Sequence, residues 1–88
     1  MYKRQKEEWV RIECDNSFAG VMIDRFGKDV SMIRLDDKRF VVNVEVAVSR
    51  QFLAWIIGLG QGVTLAGPQN VVEMMNAEID RLIKQYKK

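Results

Sequence analysis

From Trp9 to Cys14 the chain alternates, with Val10, Ile12 and Cys14 on one side and Trp9, Arg11 and Glu13 on the other. A period of two predicts a half-buried strand. Asp15, Asn16 or Ser17 can cap the helix that follows. In it Phe18, Val21, Met22 and Phe26 recur at three- and four-residue steps, and Gly27 can take the left-handed position just past the end. Val30 to Leu35 reads as a second strand, Asp36-Asp37-Lys38 as a turn, and Phe40 to Val48 as a third strand. That third strand sends Phe40, Val42, Val44, Val46 and Val48 to one face and Val41, Asn43, Glu45 and Ala47 to the other. Ser49 caps a second helix, Arg50 to Leu59, which the glycines 58, 60 and 62 bring to an end. Val63 to Ala66 is a short strand, and Gly67-Pro68 opens a last helix with proline in its first turn. Along that helix Val72, Met75, Ile79, Leu82 and Tyr86 form an apolar stripe. Glu73, Asn76, Asp80, Lys84 and Lys87 stand opposite, with Asp80 and Lys84 spaced to pair across one turn.

The order is therefore β-α-β-β-α-β followed by a helix. Two β-α-β crossovers joined by a hairpin predict a ferredoxin-like α+β sandwich, with both crossover helices on one face of a four-stranded antiparallel sheet of order 4-1-3-2. The other sheet face is then open unless the C-terminal helix or a second chain covers it.

Composition narrows the chemistry. Eighty-eight residues suffice for one small domain, and 48% hydrophobic with 30% charged residues is ordinary globular composition. No apolar run approaches the ~20 residues of a membrane span, so a soluble, cytoplasmic protein without membrane contact is expected. There is no histidine, and Cys14 is the only cysteine. Neither an imidazole-assisted nucleophile nor a His/Cys zinc set can be built, and no catalytic residue, metal or cofactor is expected. The +2 net charge comes from the ends: Lys3, Arg4, Lys6, Lys84, Lys87 and Lys88 are basic, whereas residues 7–83 hold 8 basic against 12 acidic groups. A body at −4 is a poor phosphate-tracking surface, so direct sequence-specific binding of nucleic acid is not expected.

Two motifs reduce to turns. Gly58-Leu59-Gly60-Gln61-Gly62 follows a helix and precedes a strand, the reverse of a phosphate-cradling loop. Asp36 and Asp37 sit where a hairpin turn needs them, without further oxygen ligands nearby. Cys14 falls on the inward face and reads as a small core residue. The positions left over are those on the outward sheet face: Trp9, Arg11, Ile33, Val41, Asn43 and Glu45. Trp9, Ile33 and Val41 would form an apolar patch, with Arg11, Glu13 and Glu45 at its rim, which predicts an interaction surface and a homodimer.

The strand Trp9-Val10-Arg11-Ile12, the segment Ile23-Asp24-Arg25-Phe26-Gly27, the run Phe52 to Gly60, then Val63-Thr64-Leu65, Pro68 and a final helix closing on Leu82 and Tyr86 occur in a family-like order. With them the chain from about Glu8 to Tyr86 resembles the C-terminal extension domain that follows the WYL domain in bacterial transcriptional regulators, often labelled DeoR-like. The resemblance implies the ferredoxin-like fold, a cytoplasmic bacterial setting and a role inside a larger regulator. In such a regulator a winged helix-turn-helix domain reads DNA and the WYL domain senses a nucleotide or other effector. Neither of those domains lies in these residues, so none of their functional positions carries over. Residues 9–88 are expected to be the extension domain of a longer chain, with residues 1–8 as a linker remnant. The expected function is a non-enzymatic regulatory and oligomerisation module, and the alternative is a regulatory domain that binds a small molecule on its open sheet face.

Overall fold

The structure is a computed structural model that describes residues 7–87; Lys3, Arg4, Lys6, Lys88 and most of the expected linker lie outside the described residues. β1 (Glu7–Asp15) leads through a short 3-10 turn (Asn16–Phe18) into α1 (Ala19–Phe26). Then come β2 (Ser31–Arg34), β3 (Arg39–Ala47), α2 (Arg50–Gly58), β4 (Val63–Gly67) and α3 (Gln69–Tyr86). The four strands form one antiparallel sheet in the order β2-β3-β1-β4, the ferredoxin-like neighbour relations expected. β1 begins two residues before Trp9, because Glu7 and Glu8 pair with Ala47 and Val46.

Local chemistry sets the boundaries. The Asp15 carboxylate accepts from the Ser17 N–H at 3.0 Å, and Ser49 Oγ accepts from the Phe52 N–H at 3.2 Å, so each satisfies a donor at a helix start. Gly27, at φ 95°, closes α1 with its N–H on the Ile23 carbonyl. Pro68 stands one residue earlier than expected, as the cap of α3 rather than in its first turn. Gly62 has a steric reason. A Cβ there would lie 2.4 Å from the Phe18 ring, at the point where the Asp15 N–H donates to the Gly62 carbonyl.

The inward row of the sheet, Val10, Ile12, Cys14, Phe40, Val42, Val63 and Leu65, packs against Met22 of α1 and Phe52, Leu53 and Ile56 of α2. Val71 and Met75 of α3 join the same cluster, so α3 lies on the helix side of the sheet beside α2 and leaves the opposite face open. Its docking line differs from the one expected. Val71, Met75 and Glu78 are buried, whereas Ile79 is 40% and Tyr86 74% exposed. Adjacent apolar residues at Val71 and Val72 make the apolar arc wider than one contact line; Val71 and Met75 enter the core, and an ion cluster lies at its edge. The Glu78 carboxylate accepts from Arg81 at 2.6 Å and from Arg50 of α2 at 3.3 Å. Asp80 and Lys84 form no ion pair within 4.0 Å among the described residues.

The Arg81 hydrogen bonds, with Arg50 beside them, hold the Glu78 carboxyl below the ordinary 4.5. A carboxyl that titrates lower when folded adds stability above its unfolded value, and that stability is lost as pH falls through the folded value. Glu78→Gln is therefore expected to lower the thermal midpoint at neutral pH, with the gap to wild type closing as pH drops below about 4.5. Calorimetry of both proteins at neutral pH and at about pH 3 measures the gap.

Candidate interaction surface

The strand register arranges the outward side chains in rows. Ile33, Val41, Glu13 and Thr64 make one row; Ser31, Asn43 and Arg11 make the next; Glu45 and Trp9 make a third. All six residues expected on this face point to it, but they do not form one apolar patch. Trp9 is 63% and Ile33 56% exposed, whereas Val41 is only 3% exposed. This corrects the expectation for Val41. It lies on an inner strand between Ile33 and Glu13, and the Arg39 guanidinium reaches Glu13 at 3.9 Å on the same face, so longer neighbours cover a short side chain. Val41 nevertheless stands outside the main core cluster, as its outward direction requires.

Trp9 and Ile33 are two strands and four residues apart in the register, roughly 16 Å at standard strand spacings. Arg11, Asn43 and Ser31 lie between them. The face is thus apolar at two corners and polar across its centre. β2 ends at Ser31 opposite Asn43 while β3 continues to Ala47, so the outer edge of β3 from Val44 onward has no strand partner among the described residues. There a shallow recess of about 290 Å³ opens, lined by Trp9, Asn43 and Glu45 from the sheet face and by Phe26, Val30 and Val44 from below. Three of the six expected residues meet at this recess; Ile33 stands apart from it.

The remaining candidate chemistry is committed to structure. Cys14 is 1% exposed, and burial pushes its thiol up to about 11, so it stays protonated and unreactive at neutral pH. The Asp36 carboxylate accepts from the Lys38 and Arg39 N–H groups at 2.8 and 2.9 Å and from the Arg39 guanidinium at 3.0 Å. Those donors, Lys38 first, hold its carboxyl below the usual carboxylate range. Among the described residues no three His, Cys, Asp or Glu groups are placed to share a metal ion. Two features escaped sequence reasoning. Glu78 carried no signal, because one acid inside an amphipathic helix looks like any surface residue. Trp55 meets Phe26 edge-to-face at 5.7 Å with Arg25 stacked 4.6 Å over its ring, a contact between helices that no local spacing reveals.

Helices confined to one side of a four-stranded antiparallel sheet, with a mixed and open second face, define a ferredoxin-like α+β domain. The family model of the WCX domain matches residues 6–83, and the chain belongs to that family, the C-terminal domain of WYL-containing transcriptional regulators. It is thus a regulatory-type domain. A search of curated proteins finds no match to it. No helix among the described residues is long and apolar enough to cross a membrane.

Proposed function

We propose that this chain is a non-enzymatic regulatory and assembly module, working in the bacterial cytoplasm, that couples effector sensing by a WYL domain to DNA binding by a helix-turn-helix domain. The homodimer is part of that role. The observation that carries the reading is the uncovered sheet face, where a tryptophan stands 63% exposed although α3 was available to cover it. A face that mixes exposed Trp9 and Ile33 with Arg11, Asn43 and Glu45 has the make-up of a contact between domains that must also separate. We assign it to the WYL domain of the same regulator. DNA reading falls to the other domain, since the body of this one is acidic.

Titrating the isotope-labelled chain with the separate WYL domain tests this. Amide shifts should concentrate at Trp9, Arg11, Ile33, Asn43 and Glu45. Shifts confined to α1 and α2, or none at about 0.5 mM partner, would contradict the assignment. The recess beside Trp9 favours a second reading, capture of a small effector, because its volume approaches that of a ligand site and an indole lines it. That reading predicts shifts from the effector alone, clustered at Trp9, Asn43 and Glu45.

A further inference from the structure

We infer that the self-association surface is the free flank of α3, and that a second copy of this chain docks there through its own α3 in antiparallel orientation. This rests on the reading of the chain as an assembly module and moves the dimer contact away from the sheet face. That face cannot supply a continuous apolar patch, because Arg11 and Asn43 separate Trp9 from Ile33.

The docking line of α3 takes Val71, Met75 and Glu78. At 100° per residue, Val72, Ile79, Ile83 and Tyr86 fall together on the neighbouring flank, a strip roughly 21 Å long. Among the described residues little covers it: Ile79 is 40%, Ile83 48% and Tyr86 74% exposed. The strip continues onto Ile57 at the end of α2, itself 40% exposed, across a groove of about 330 Å³ between α2, β4 and α3. Ile79, Ile83 and Tyr86, with Ile57 across the groove and Asn76 as a polar member beside them, form an exposed apolar cluster that on so small a domain marks an interface.

Charge selects the occupant. The first part of α3 carries Glu73, its middle Asp80 and its end Lys84 and Lys87, none of them with an ion-pair partner among the described residues. A second α3 running parallel would set Glu73 against Glu73. Running antiparallel about a two-fold axis near Ile79, it brings Glu73 level with Lys84 and Lys87 of the other copy, twice, and opposes the two helix dipoles, against one approach of Asp80 to its own copy at the axis. The two Glu73–lysine pairings outnumber the one like-charge approach, so the flank favours a second copy in this orientation over a parallel one.

Sedimentation equilibrium at about 0.1 mM, a concentration at which a ~10 µM dimer is mostly formed, should show the wild-type chain as a dimer. Ile83→Glu should raise its dissociation constant at least tenfold with an unchanged circular dichroism spectrum. Glu73→Lys should weaken the dimer, and adding Lys84→Glu with Lys87→Glu should restore it. Oxidation should link Ile79→Cys into a covalent dimer but leave Ile33→Cys, on the sheet face, unlinked. A dimer indifferent to Ile83→Glu, or linked through Ile33→Cys instead, would overturn the α3 surface while leaving the assembly role standing. A wild-type monomer at this concentration would remove the homodimer from the proposed function as well, and the WYL titration would then decide the coupling role alone.

Discussion

Val41→Asp is expected to lower the unfolding free energy by about 3 kcal/mol or more, because it places a carboxylate at a nearly closed position. Val41 is only 3% exposed and lies directly opposite Glu13 in the register, so the new charge is both desolvated and set against a like charge. Trp9→Ala, on the same face but 63% exposed, should change stability by less than about 0.5 kcal/mol. Urea denaturation followed by far-ultraviolet circular dichroism measures both. Strand alternation alone would rank the two substitutions the other way, since it places both residues outward and makes tryptophan the larger loss. A Val41→Asp protein as stable as wild type would mean that its neighbours do not close over the position.

Ile12→Ala should cost about 3–4 kcal/mol. Ile12 is 0% exposed on the central strand, paired with Val42 on one side and Leu65 on the other, and it faces the layer built from Met22, Phe52, Leu53 and Ile56. A cavity there is walled by strands on two sides, so the surroundings can collapse little. For a domain of this size, whose total stability is on the order of 4–13 kcal/mol, the loss is a large fraction of the whole. The denaturant midpoint should drop while the slope of the transition stays the same, since the area exposed on unfolding is nearly unchanged.

What could be read from the chain, and what could not, divides by the range of the interactions. The period of two in Trp9 to Cys14 and in Phe40 to Val48 is local, and the elements and faces it implies are those of the structure. The caps at Asp15 and Ser49 and the turn at Asp36 are also local, each a side chain bonding a backbone within three residues. Exposure on the outward face is different. Whether Val41 is open depends on Ile33 from β2 and Glu13 from β1, and the gap between Trp9 and Ile33 depends on the register of three strands. The same holds for α3. Its periodicity marks a broad apolar arc, but the line that docks is set by the tertiary core that receives Val71 and Met75, with Arg50 of α2 meeting Glu78 at its edge. The resemblance to the WYL-regulator extension rested on several weak segments spread over the chain, and the family match over residues 6–83 agrees with it.

On the proposed reading the open sheet face transmits the effector signal within a WYL-type regulator. The direct measurement is operator binding by the full regulator, with and without its effector, in wild type and in Trp9→Ala with Ile33→Ser. Both residues are more than half exposed, so the folded domain should survive the change. The double variant should still bind operator DNA but no longer change its affinity when effector is added. A double variant that responds to effector as fully as wild type would contradict it.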